Sequence, residues 1–258
     1  MGAMTGLRNP AADDGRPPPV DLLNGASLFL DFDGTLVAIA ERPDAVEVDA
    51  ALDSLLDRLG RVLAGRVAII SGRALAEIDR LIARGRFAIG GSHGLELRWP
   101  DGRLDAPAVP ECLEEIIAEM RSLQATYPEL VVEEKPFGAA LHYRQLPTAE
   151  PECRALAARL ARHEGFALQS GKMVFEIRAA GHDKGSAVRA LMGDPALTGS
   201  RPIFIGDDDT DEAAFRAVAE LGGAGILVGP GRGTAARYRL ADVPATHQWL
   251  HHAAEALA

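Results

Sequence analysis

The chain has 258 residues, of which 47% are hydrophobic and 25% charged, enough apolar side chain for one large core or two smaller ones and too much for a disordered polymer. A formal charge of −10 at pH 7, with no run of Lys and Arg to break the acidic field, excludes a nucleic-acid footprint. No apolar run reaches the roughly 18 residues of a spanning helix, no secretory h-region follows the N-terminus, and Cys112 and Cys153 lack any metal-ligand spacing, so a cytoplasmic, reduced, monomeric protein without a membrane partner is expected.

In chain order, residues 1–24 are rich in Gly, Pro and Asp and read as a flexible tail. SLFLDFDGT at 27–35 reads as a buried strand that ends in two acids, Asp31 and Asp33. Phe32 points the other way, so both carboxylates face one pocket, where they repel unless a cation lies among them. DAALDSLLDRLG at 49–60 reads as a helix with Leu52, Leu55, Leu56 and Leu59 on one face and Gly60 as its stop. RVAIISGR at 66–73 reads as a second strand, with Ser71 and Arg73 between it and a helix whose N-terminus favours an anion. FAIGGSHGLE at 87–96 reads as a third strand that ends at a polar cluster carrying His93. Strands that alternate with helices imply right-handed crossovers and a parallel sheet, with ligands outside the carboxyl ends of its strands.

The stretch 107–180 has another rhythm. ECLEEIIAEMRSLQATY reads as a helix, LVVEEKPFGAALHYRQ as two strands around Pro136 to Gly138, PECRALAARLARHEG as a helix, and ALQSGKMVFEIR as a hairpin turning near Ser170 and Gly171. These are two α-β-β units, and they predict a separate α+β domain of residues 107–180 inserted into a core of 25–106 and 181–258. GHDKGSAVRAL then opens a helix at Lys184, PIFIGDDDTDE at 202–212 brings a second acid cluster to a strand end, and GAGILVG at 223–229 supplies a further strand.

Taken singly, each acid cluster also has a reading as a solvated turn with capping Asp, Lys184 alone reads as a surface lysine, and Ser71 alone as an ordinary helix cap. Together they supply a nucleophile, a hydrogen-bond donor, a countercharge and an all-oxygen site suited to Mg²⁺, the parts that phosphoryl transfer needs.

DFDGT, Ser71, Lys184 and GDDDTD stand in the order and spacing of the haloacid-dehalogenase-like phosphatases, and the chain is identified as resembling that superfamily over about residues 25–250. More narrowly, IISGR, GSHGLE, VEEK followed by LHYR, VFEIR with HDKG, and GDDDTDE resemble the trehalose-6-phosphate phosphatase family. The resemblance implies a Rossmann-like parallel-sheet core with an α+β cap and Mg²⁺-dependent hydrolysis of a sugar phosphate, trehalose 6-phosphate. It implies Asp31 as the nucleophile that forms an aspartyl-phosphate and Asp33 as the acid and base. It implies Mg²⁺ held by Asp31, the backbone carbonyl of Asp33 and Asp207, with Asp208 and Asp211 supporting. Ser71 and Lys184 would meet the phosphoryl oxygens; Arg73 would guide the phosphate or pair with the cap. His93 would touch substrate or order its loop, and Glu133, Lys135 and Glu176 would recognise the sugar from a cap that closes over it. A phosphatase of sucrose 6-phosphate or mannosyl-3-phosphoglycerate, a mutase, and a silent sugar-phosphate sensor remain as alternatives.

Overall fold

The structure, a computed structural model, describes residues 15–39, 46–82 and 87–258; residues 1–14 of the expected tail lie outside them. Two compact units divide the chain, Met1–Asp105 with Asp183–Ala258, and Ala106–His182.

The first unit is built on an eight-stranded sheet. Its strands are β1 (Ala26–Leu30), β2 (Val67–Ile70), β3 (Ala88–Gly91), β4 (Glu96–Arg98), β5 (Leu104–Asp105), β10 (Arg201–Gly206), β11 (Ala224–Val228) and β12 (Tyr238–Leu240), in the spatial order β12-β11-β10-β1-β2-β3-β4-β5. The six from β12 to β3 run parallel, while β4 and β5 join antiparallel. Strands buried on both faces favour apolar residues at every position, which is why β2 and β11 are apolar throughout and β1 departs only at Ser27, whose hydroxyl is paired with that of Ser200 at 2.6 Å.

Alternate residues feed two cores. Leu28, Leu30, Ile69, Ile203, Ile205 and Ile226 pack with the helices α1 (Ala50–Val62) and α7 (Val243–Ala256). Phe29, Ala68, Ile70, Phe204 and Leu227 pack on the other face with α5 (Lys184–Met192) and α6 (Glu212–Glu220). Phe204 meets Phe215 edge to face at 5.6 Å.

Helix α1 starts as its sequence predicts, with Asp49 accepting the Leu52 N–H at 2.7 Å and the four leucines buried. It does not stop at Gly60. The helix runs on to Val62, and the chain leaves it through Ala64 and Gly65, both with positive φ, the Gly65 N–H returning to the Gly60 carbonyl.

Part of the segment read as a tail is packed. Pro18, Leu22 and Leu23 are buried, the Trp249 indole donates to the Pro18 carbonyl at 2.9 Å, and Arg201 donates to the Leu22 carbonyl at 2.8 Å. Three buried side chains and these bonds outweigh a Gly/Pro-rich average taken over the whole stretch.

The second unit has α3 (Leu113–Thr126), β6 (Val131–Lys135), β7 (Gly138–His142), α4 (Glu150–Leu160), β8 (Phe166–Gly171) and β9 (Val174–Ala179), with an antiparallel sheet in the order β6-β7-β9-β8. Ala139, Leu141, Phe175 and Ile177 alternate onto one face and pack with Ile116, Met120, Leu156 and Leu160 of the two helices. The β8–β9 turn falls at Lys172 and Met173, later than Ser170 and Gly171, because Gly171 still pairs with Val174; Met173 takes the left-handed conformation, φ 65°.

Candidate active site

The register of β1 against β10 brings the two acid clusters together. Leu30 lies opposite Ile205 and the Asp31 N–H donates to the Ile205 carbonyl at 2.9 Å, so the residues that follow leave the sheet side by side. Asp31, Asp207 and Asp211 each offer an oxygen within 4.8 Å of the others.

Lys184 is the buried countercharge. As the first residue of α5, after the N-cap Asp183, it projects its ammonium to Asp31 Oδ1 at 2.7 Å and to Asp211 Oδ1 at 2.6 Å. Burial alone would favour a neutral amine, but the carboxylates of Asp211 and Asp31 override it and raise its pKa, so the lysine stays charged. Burial pushes the Asp31 carboxyl well above the usual carboxylate range; Asp211 and Asp207 add to the rise, and Lys184 opposes it. Asp207 is raised to about 6, first by burial and then by Asp211. Three carboxylates against one ammonium leave an excess of negative charge, and an all-oxygen donor set with that excess fits a small hard divalent cation.

The carboxylates divide the work. Asp211 is committed on both oxygens, Oδ1 to Lys184 and Oδ2 to the N–H groups of Asp207 at 2.8 Å and Asp208 at 2.9 Å. Asp207 has a long contact, 3.4 Å, from the Thr35 hydroxyl. Of the three, Asp31 and Asp207 could offer an oxygen to a cation, while Asp211 holds the frame. The exposed Asp208 side chain turns to the Asp209 N–H and caps the short helical turn Asp209–Asp211, outside the convergent trio.

Gly34 explains the glycine in DFDGT. Its φ is +85°, and a Cβ there would overlap the Asp207 carboxylate.

Asp33 and Arg73 form a separate pair: Nε donates to Oδ2 at 2.6 Å and Nη2 to Oδ1 at 2.7 Å. Ser71, directly after β2, is buried; its Oγ accepts the Arg73 N–H at 3.1 Å and its own N–H donates to Gly90 at 2.8 Å. The His93 N–H donates to the Ser71 carbonyl at 2.9 Å, and a Cβ on Gly72 would strike the imidazole, so His93 packs directly under the loop of residues 71–73. Ser92 and His93 have positive φ (48° and 57°), a conformation that residues with a Cβ keep only where surrounding contacts sustain it, and Gly94 follows at 96°.

One of those contacts, Glu96, was missing from the sequence-based set. Its Oε2 accepts from the Ser92 hydroxyl at 2.7 Å and from the Leu75 N–H, at the start of α2 (Leu75–Leu81), at 3.0 Å. The available signal was an acid two residues past a glycine turn in GSHGLE.

Within the second unit, Glu133, Ala140, Glu176 and Gln169 form one cross-strand row, on the sheet face opposite the helix-packed one. Lys135 Nζ lies 2.7 Å from Glu176 Oε2, and His142 Nε2 lies 2.8 Å from Glu133 Oε2. The three expected sugar-recognition residues thus share a polar face, with His142 joined to it.

Comparison with known proteins agrees with this chemistry. The sequence profile of the trehalose-phosphatase family matches residues 29–244. A probable trehalose-phosphate phosphatase of Sinorhizobium fredii is 43% identical over 210 residues, covering 81% of this chain and 79% of that protein. The trehalose-6-phosphate phosphatase of Escherichia coli is 38% identical over 231 residues, covering 89% and 86%. A solved structure described as a trehalose-6-phosphate phosphatase related protein superposes with a TM-score of 0.76 at 29% identity, over 89% of this chain and 97% of that one.

Proposed function

Because this chain belongs to the trehalose-phosphatase family, we propose that it hydrolyses trehalose 6-phosphate to trehalose and phosphate in the cytoplasm, as a monomer. The observation that carries the chemistry is the buried Lys184 bridging Asp31 and Asp211 beside Asp207.

Asp31 attacks phosphorus through a carboxylate oxygen, the bond to the sugar oxygen breaks, and Asp33 gives its proton to that leaving oxygen. Asp33 then takes a proton from water, whose oxygen attacks the aspartyl-phosphate; phosphate departs and the Asp31 carboxylate is restored. Lys184 keeps Asp31 oriented and balances its charge in the resting state. Ser71 Oγ–H and Arg73 donate to the phosphoryl oxygens, whose dianion competes with Asp33 for the guanidinium. Asp31 and Asp207 would hold Mg²⁺, with the backbone carbonyl of Asp33 as a further oxygen. Bound there, the cation supplies charge neutralisation for the transferring phosphoryl group. The polar face of the second unit suits a neutral disaccharide, because Glu133, Lys135 and Glu176 offer acceptors and donors in adjacent positions for hydroxyl groups.

The test is phosphate release from a panel of sugar phosphates, including trehalose 6-phosphate, sucrose 6-phosphate and mannosyl-3-phosphoglycerate, with Mg²⁺ and with a chelator. The expected result is a clear preference in kcat/KM for trehalose 6-phosphate and no turnover with the chelator. Preference for another member of the panel would overturn the substrate, and isomerised sugar without free phosphate would overturn the reaction.

A further inference from the structure

The acidic loop that carries Asp207 is fastened from outside by one guanidinium. Arg232 lies in the stretch 229–237 between β11 and β12. Its Nη1 donates to Glu212 Oε1 at 2.7 Å and lies 3.0 Å from Asp209 Oδ1, while Nη2 donates to the Asp208 carbonyl at 2.7 Å. Glu212, the first residue of α6, also accepts from the Thr234 hydroxyl at 2.7 Å and from the Ala235 N–H at 2.8 Å, which closes the second loop onto the first. The Asp208 main chain is therefore held on both sides, its N–H by Asp211 and its carbonyl by Arg232. Rotation of that segment would carry Asp207 with it, and Arg232 also offsets the mutual repulsion of Asp208, Asp209 and Glu212.

We propose that Arg232 is a positioning residue for the divalent cation: by pinning the Asp208 carbonyl and Glu212 it holds the Asp207 carboxylate where it can ligate jointly with Asp31. The inference rests on the reading of Asp31 and Asp207 as a cation site, and Arg232 itself contacts neither of them in the bonds described. A group that merely stabilised the end of α6 would change melting temperature without changing affinity for the ion.

The experiment measures Mn²⁺ affinity of chelator-stripped protein from the electron paramagnetic resonance signal of free Mn²⁺, used as an oxygen-seeking probe of the same site. Proteins compared are the wild type, Arg232→Ala, Arg232→Lys, and Arg189→Ala, which removes a charge of the same sign from a surface pair with Glu220. Arg232→Ala is expected to weaken Mn²⁺ binding by about tenfold or more. Arg232→Lys should fall between, since an ammonium keeps the charge but cannot serve three acceptors from one plane. It also decides the matter if the alanine variant does not fold. Arg189→Ala should match the wild type. Wild-type affinity in Arg232→Ala, or in Arg232→Lys where that variant decides, overturns the proposal, as does equal weakening by Arg189→Ala. A wild type that binds no Mn²⁺ overturns the cation-site reading and the proposal together.

Discussion

Arg73 grips Asp33 at two points, Nε on one carboxylate oxygen at 2.6 Å and Nη2 on the other at 2.7 Å. The residue proposed to hand a proton to the leaving group thus rests on a cation that a phosphate dianion would also seek. Arg73→Lys keeps the charge and loses the fork. Its kcat/KM should fall by about 10²-fold, the order expected for one charge-assisted contact, with much of the loss in KM. Asp33→Asn should instead lower kcat and leave KM nearly unchanged. Steady-state kinetics on the two variants separates these outcomes, and a wild-type KM for Arg73→Lys would remove Arg73 from phosphate binding.

Asp31 and Lys184 are both buried, yet their replacement should affect stability very unequally. Asp31→Asn is nearly isosteric and removes one of the crowded charges, so its melting temperature should stay close to that of the wild type while turnover collapses. Lys184→Ala leaves Asp31 and Asp211 buried without their shared cation and should cost about 3–5 kcal/mol. Thermal melts beside phosphate-release assays check both; a large stability loss in Asp31→Asn would mark it as structural.

The raised pKa of Asp207, about 6, sets a pH dependence for the metal-free protein. A carboxyl whose folded pKa lies above its unfolded value binds protons more tightly in the native state. Its contribution is therefore fully present below about pH 4 and is lost as pH rises through about 6, on the order of 2–3 kcal/mol. Burial, Asp211 and Asp208 raise this group, while Asp31 and Lys184 lower it. In chelator, the advantage of Asp207→Asn over wild type in melting temperature should grow across that window. Added Mg²⁺ should erase the trend for wild type by binding the ionised form. A difference that stays flat with pH would mean that Asp207 is not strained by its neighbours.

Glu176 and Lys135 lie 2.7 Å apart on the polar face of the second unit, and if they read sugar hydroxyls their effect should depend on the substrate. Glu176→Gln is expected to raise KM for trehalose 6-phosphate by about tenfold, the order of one hydrogen bond to a charged group. Hydrolysis of p-nitrophenyl phosphate, which has no sugar to recognise, should be unchanged. Equal loss on both substrates would place Glu176 in the folding of the second unit.

Five strands and the acids at their ends were legible because a parallel strand must be apolar throughout, so a sudden Asp at its carboxyl end stands out. The antiparallel β4 and β5 were not read as strands: Glu96–Arg98 and Leu104–Asp105 are short and polar, with no periodicity. Gly60 misleads because a glycine signals a stop only where the chain turns left-handed, and here that happens at Ala64 and Gly65. The roles of Asp207, Asp208 and Asp211 could not be separated from a run of four acids in five residues; the turn that aims Asp208 outward and buries Asp211 divides them. Arg232 holds the Asp208 carbonyl from a segment distant in sequence, a relation that leaves no local pattern, whereas Glu96 was marked only by its place two residues past Gly94.

The pairing of β1 with β10 also carries a consequence for biosynthesis. Residues 26–30 lack one of their two neighbouring strands until residue 206 has left the ribosome, whereas every strand and helix of the unit Ala106–His182 comes from one contiguous stretch. The inserted unit has all its parts before the catalytic half of the molecule does, and a nascent chain halted before β10 presents the bare hydrogen-bonding edge of β1 to its surroundings.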